Sequence, residues 1–414
     1  MNDRVEFTKE MKKTYTLLLP NMAPIHFNLL RRVFQNFGYK AKLLEMDNSG
    51  VFVEAGLKYV HNDICYPAQL VIGQMISALE SGKYDIDKVA LVITQTGGGC
   101  RASNYLPLLR KALKRAGFEK VPVVSLSLSH MENSGFKITL RMLIQAFAAL
   151  IYGDVMMILS NQIRPYEKNK GESDALVEKW IKIIGDKFKK NRGFLFGEMK
   201  TNLDKMVSSF VKIEKKEEKK IKVGIVGEIY MKYSAIGNNN LIQFLESQGS
   251  EVMVPSLFGF VFYCLTNIPQ DELYYGHKKL TAIGSNLLMN IFYKTERTML
   301  KAMAKPGCFI VPLPFLEMRK MVNGVIDYGV KMGEGWLLTG EMIDLAHMGY
   351  KNIVSVQPFG CLPNHVVSKG MIRKVSEVTG ANIVAIDYDP SQTNVNQENR
   401  LKLMLSIAKE NLNL

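Results

Sequence analysis

The chain has 414 residues, of which 47% are hydrophobic and 22% charged, the composition of a normal soluble globular protein with room for two or three domains and large cores. Its net charge of +14 fits nucleic acid, an anionic cofactor or an acidic partner. The basic residues gather in solvated-looking stretches at 168–170, 187–192 and 215–222, without the aromatic interleaving of single-strand binders, so no nucleic-acid partner is expected.

Residues 1–13 are polar and charged and lack the apolar segment of a secretory signal. Residues 15–19 read as a strand, 24–37 as a helix closed by Gly38, and 39–44 as a second strand, a β-α-β unit that implies parallel pairing. A helix follows over 67–79, then a strand over 89–94 that runs into Thr96-Gly97-Gly98-Gly99-Cys100. Leu106, Leu109, Leu113 and Ala116 recur at helical spacing, Gly117 closes that helix, and 121–126 form the next strand. From 136 to about 214 the pattern is helical. Its most apolar part, 143–159, is interrupted by Gln145 and Asp154 and falls short of a membrane span of about 20 residues, so it reads as a buried helix and no membrane partner is expected. The segments 173–190 and 195–212 are basic and amphipathic, read as a solvated face in preference to a docking face for an acidic partner.

The Lys- and Glu-rich run 212–222 marks a boundary between an N-terminal lobe (1–214, helical from 136) and a C-terminal lobe (222–414, with a helical insertion at 258–305). The second lobe restarts the scheme with strands over 222–226, 251–255, 309–311, 353–357 and 383–386, and helices over 238–248, 364–379 and 394–411. A shift that places Cys100 on Cys361 also places Val123 on Val384, so the halves read as copies. The expected fold class is α/β, with parallel sheets in two lobes.

Five cysteines at wide spacing argue against a disulfide framework and for reduced thiols in the cytoplasm. Cys100 and Cys361 each follow an apolar run and precede a helix, and Cys65 precedes a third helix. Ligands of open α/β sheets bind beyond the carboxyl ends of the strands. Helix N-termini there favour anions and lower a thiol pKa. Three thiolates from separate loops suit an iron–sulfur cluster with one iron left open, provided the lobes face each other across a cleft. Gly98, Gly99 and Gly360 allow close backbone approach to such a ligand. Cys264 and Cys308 read as small core residues. Two other readings stand beside this one. Cys100 is a nucleophile with His61, His130 or His365 as its base, or the thiols bind zinc with one histidine, although no Cys-x-x-Cys pair exists. Glu228 is read as a proton donor or a helix cap, with Glu341 a weaker counterpart. Arg101 is read as a counter-charge to the cluster or its substrate, or as a surface ion pair.

The stretches 61–68 (His-Asn-Asp-Ile-Cys-Tyr-Pro-Ala), 95–105, 223–240 and 357–366 carry a family likeness. Over about 15–405 the chain resembles the 2-hydroxyacyl-CoA dehydratase family of iron–sulfur proteins, nearest to the branch found as the C-terminal part of large activase-related proteins. That resemblance implies Rossmann-like subdomains holding a [4Fe-4S] cluster between them through Cys65, Cys100 and Cys361. It implies an ATP-hydrolysing activator protein that delivers one electron at very low potential. In the dehydratases that electron makes a ketyl radical from a 2-hydroxyacyl-CoA thioester and water leaves, so an acyl-CoA substrate and a homo- or heterodimer are expected. A related group carries double-cubane clusters, which five cysteines fit poorly. No Gly-x-x-x-x-Gly-Lys-Ser/Thr loop is present, so ATP would be hydrolysed by the partner.

Overall fold

The structure, a computed structural model, describes residues 5–46, 49–95, 99–126, 135–276, 279–391 and 394–412. Two four-stranded sheets organise an α/β fold. The first holds β1 (Thr16–Leu19), β2 (Lys40–Leu43), β3 (Val89–Thr94) and β4 (Val123–Leu126) in the order β2-β1-β3-β4. The second holds β5 (Ile221–Gly227), β6 (Ser250–Met253), β7 (Asn352–Pro358) and β8 (Asn382–Tyr388) in the matching order β6-β5-β7-β8. Every pairing is parallel. Helices cover both faces of such sheets, so their inner strands are largely apolar rather than alternating; Ala90, Leu91, Val223 and Ile225 are fully buried, whereas the edge strand β2 alternates Lys with Ala and Leu. In each sheet the order in which strands are added reverses between the first and third strands, the switch point at which such sheets open a crevice at their carboxyl ends.

Around the first sheet lie α1 (Met11–Thr14), α2 (Pro24–Asn36), α3 (Ser49–Tyr59), α4 (Tyr66–Glu80) and α5 (Tyr105–Arg115). Then come α6 (Leu140–Ile163), α7 (Glu172–Lys189) and α8 (Phe196–Val211). The second sheet carries α9 (Ile229–Tyr233), α10 (Leu241–Ser247), α11 (Leu257–Tyr275), α12 (Lys279–Ala304), α13 (Phe315–Met321), α14 (Trp336–His347), α15 (Ile372–Thr379) and α16 (Asn394–Leu412). The apolar α6 is long enough to cross a membrane, but every residue from Ile151 to Ile163 is buried inside the protein, as a core helix.

That helix also joins the lobes. Asp154 on α6 is fully buried and accepts from three donors: His26 Nε2 at 2.9 Å, Leu257 N at 2.7 Å and Phe258 N at 2.9 Å. The last two are the free amides at the start of α11, so one carboxyl caps a helix of the other lobe. Asp154→Ala leaves all three donors buried and unpaired. It is expected to cost about 3–5 kcal/mol, measured as a shift in the denaturant midpoint. A loss under about 1 kcal/mol would show that the junction does not depend on this residue.

Several expected elements differ. The strand at 309–311 is an extended segment outside both sheets, because the Gln162 side chain takes both polar groups of Ile310, N–H at 2.8 Å and C=O at 2.9 Å. The helix at 238–248 begins only at Leu241, since Asn239 and Asn240 adopt left-handed backbone. The helix at 364–379 is a π turn (Asn364–Ser368), a 3-10 turn (Lys369–Met371) and α15. The Lys/Glu run is extended and pairs with 166–168 through Lys168 N to Glu214 O and Lys216 N to Tyr166 O. Cys264 and Cys308 are exposed rather than core residues.

Candidate functional site

Two of the three cysteine loops lie at corresponding places. Cys100 follows β3 and Cys361 follows β7, the third strand of each sheet, while Cys65 caps the N-terminus of α4. The loops of Cys65 and Cys361 touch across the lobes: Tyr66 N donates to Phe359 O at 2.9 Å. Gly360 has φ +71°, and a Cβ there would stand 3.0 Å from the Cys65 Cα. Both conditions call for glycine. Gly360→Ala is expected to destabilise by about 1–3 kcal/mol and to push the two loops apart; an unshifted denaturation midpoint would show that the loops do not press on each other. Gly99 lies against Met332 of the other lobe, and its own Cβ would collide with that sulfur. Gly98 and His130 lie outside the described residues.

Arg101 Nη1 donates to Asp63 O at 2.5 Å, two residues before Cys65, and so ties the Cys65 and Cys100 loops together. The Cys65 sulfur meets the Tyr105 hydroxyl at 3.0 Å. Ala102 N reaches Cys100 Sγ at 3.5 Å, and Asn364 Nδ2 donates to Cys361 Sγ at 3.4 Å. These donors are the kind expected at helix starts, yet the pKa lowering expected from them is reversed. Burial pushes the Cys100 thiol up to about 11, with Glu334, Glu228 and Cys65 adding to it. Burial also raises Cys65 and Cys361, with Glu228 acting on both and Glu334 on Cys361. Glu228 thus bears on the thiols of all three loops, and Glu334 on those of Cys100 and Cys361.

Those carboxyls share one helix end. β5 delivers Glu228 to the cap position of α9, where its Oε2 accepts Met231 N at 2.9 Å. Glu334, in the loop before α14, accepts Ile229 N at 2.9 Å through Oε1. Burial, then Glu334, push the Glu228 carboxyl up to about 8, against the pull of the Met231 and Tyr230 amides and Lys232. Burial holds Glu334 above the ordinary carboxyl range as well. Glu341 is elsewhere, held through both oxygens by Lys232 Nζ at 2.7 and 2.9 Å.

Glu334, Tyr105 and Met332 are the residues that sequence reasoning passed over. Glu334 had a signal: it stands between Gly333 and Gly335, both with positive φ, a loop that only glycines can form.

Among the described residues, no three His, Cys, Asp or Glu side chains are grouped to hold a single metal ion, the compact arrangement that structural zinc takes. A four-iron cube takes one thiolate per iron, and its ligands stand wider apart. Thiols from three loops, glycines at the points of closest approach and amide donors aimed at sulfur fit such a group. No described histidine hydrogen-bonds to a cysteine sulfur; His26, the buried one, serves Asp154. The sequence matches no known family model and no curated protein.

Proposed function

We propose that the chain is a [4Fe-4S] protein of the 2-hydroxyacyl-CoA dehydratase kind, with two Rossmann-like lobes and the cluster in the cleft between them. Cys65, Cys100 and Cys361 hold the cluster, and a separate ATP-hydrolysing activator supplies low-potential electrons for reductive dehydration or reduction, with an acyl-CoA as the candidate substrate. A bound cluster supplies one-electron reducing power at its open iron. The protein's own residues do the rest. Tyr105 and the amides of Ala68, Ala102 and Asn364 aim donors at the sulfur ligands, which favours their charged form. Glu228 keeps its proton at neutral pH and is placed to give it up.

The observation that carries the reading is the meeting of the Cys65 and Cys361 loops from different lobes, with Arg101 of the Cys100 loop bonded to Asp63 O of the Cys65 loop. Anaerobic purification with iron and sulfide analysis tests it, with about four irons per chain expected for one cube. Colourless, iron-free protein after anaerobic reconstitution would overturn it. Electron uptake from a purified activator with ATP separates a catalytic component from a scaffold that holds the same cluster.

A further inference from the structure

A cavity of about 40 Å³, lined by none of the cysteines, lies among β6, α6, α11, α12, α13 and α14. It has room for about two or three waters. Three carboxyls line it: Glu296 from α12, and Glu341 and Asp344 from α14. They are only 5%, 4% and 9% exposed. Glu341 spends both oxygens on Lys232. Glu296 Oε1 accepts Phe315 N at 2.8 Å, but its Oε2 has no partner. Asp344 takes the Leu313 amide, and its Oδ1 likewise has none. Two unpartnered carboxyl oxygens, nine-tenths buried and lining a water-sized space, require an occupant, because an unpaired buried carboxylate is too costly to keep.

We propose that this chamber is a proton-holding water site, in which Glu296 and Asp344 are neutral acids bridged by water and linked through the Lys232–Glu341 pair to the carboxyls at Glu228 and Glu334. A cation is the poorer occupant, because no three acidic groups here close around one centre. The surroundings add negative charge. Glu296 faces Asp344, Glu317 of α13 and Asp154 of α6, which is joined to His26; Asp344 faces Glu341, whose charge Lys232 balances. Burial and these neighbours push Glu296 up to about 8 and Asp344 up to about 7. Lys232 lies on α9, the turn capped by Glu228 and Glu334, and its N–H donates to Glu228 O at 2.9 Å. The pair that Lys232 makes with Glu341 thus steadies the charge beside Glu228 when that carboxyl gives up its proton, with no proton or electron passed from the chamber. That service rests on the function proposed above; the proton content of the chamber does not.

Infrared spectra of the full chain, with or without iron, test the proposal. The carbonyl band of protonated carboxylic acids is expected at pH 7, reduced in both Glu296→Gln and Asp344→Asn. Each variant keeps an oxygen for its backbone donor. A carboxyl raised in the folded state stabilises fully below its unfolded pKa, and that contribution is lost as pH rises through the folded value. Glu296→Gln is therefore expected to lose less stability than wild type between about pH 5 and 8, with about one proton fewer released on unfolding. No acid band in wild type at pH 7, or an undiminished band in both variants, overturns the proposal. So does a melting temperature that climbs with ammonium or sodium chloride but not with choline chloride. A band that survives in a chain unable to bind iron would keep the chamber and remove only its role in the reaction.

Discussion

Cys361→Ser is expected to strip the protein of iron. Wild type reconstituted anaerobically should hold about four irons, and the variant less than one, with no turnover. Cys65→Ser and Cys100→Ser should behave alike, since a cube held by two thiolates is open at two irons. Loss of a mere supporting residue around a metal site weakens it about 10–100-fold, and loss of a ligand should exceed that. Cys308→Ser and Cys264→Ser are the controls and should keep the wild-type iron. A Cys361→Ser protein with its full complement of iron would sink the three-thiol reading. Loss of iron in Cys264→Ser would instead add a fourth sulfur and close the open position.

The raised thiols give the same prediction a pH signature. With Cys100 pushed up to about 11 and its two partners raised by burial, cluster binding must displace about three protons near neutral pH. Apparent affinity should therefore climb steeply as pH rises. The same thiols make poor nucleophiles when free of metal, with about one Cys100 in ten thousand ionised at pH 7. Iodoacetamide should label Cys100 slowly at pH 7. Rapid selective labelling, with Cys65→Ser still active, would favour a metal-free cysteine enzyme.

The parallel sheets were legible because buried strands of this kind are short apolar runs with glycine breaks, as at 89–94 and 353–357. The correspondence of the halves was visible from the shift that pairs Cys100 with Cys361, and both sheets repeat one strand order. What escaped was set by tertiary contact. Helix α14 is buried at every position but the last, so it has no polar face and no periodic signal. Residues 309–311 have strand composition, but a side-chain amide from the other lobe occupies their backbone. In the site, Cys100, Cys361 and Glu228 stood out as reactive side chains after strands, and Cys65 as one before a helix. Glu334 did not, because its importance comes from sharing a helix end with a residue more than a hundred positions earlier. The direction of the thiol shifts was also misjudged. Helix starts lower a thiol pKa, but burial and two neighbouring carboxyls outweigh a few amide donors.

Glu228→Gln is expected to lower turnover about 10²–10⁴-fold, the usual worth of a general acid, while leaving iron content unchanged. The carboxyl is pushed up to about 8 by burial and by Glu334. It is therefore protonated below that pH and ionised above it. Wild-type turnover should hold at lower pH and fall as pH rises through about 8, and the variant's residual rate should lose that fall. The alternative is that Glu228 only caps α9. The substitution separates the two, because glutamine keeps an oxygen for Met231 N and so preserves the cap. A variant with near-wild-type turnover and an unchanged pH profile would reduce Glu228 to a structural residue. A variant that folds, binds iron and stalls would assign it the proton, because the proton is the one thing glutamine cannot supply from that position.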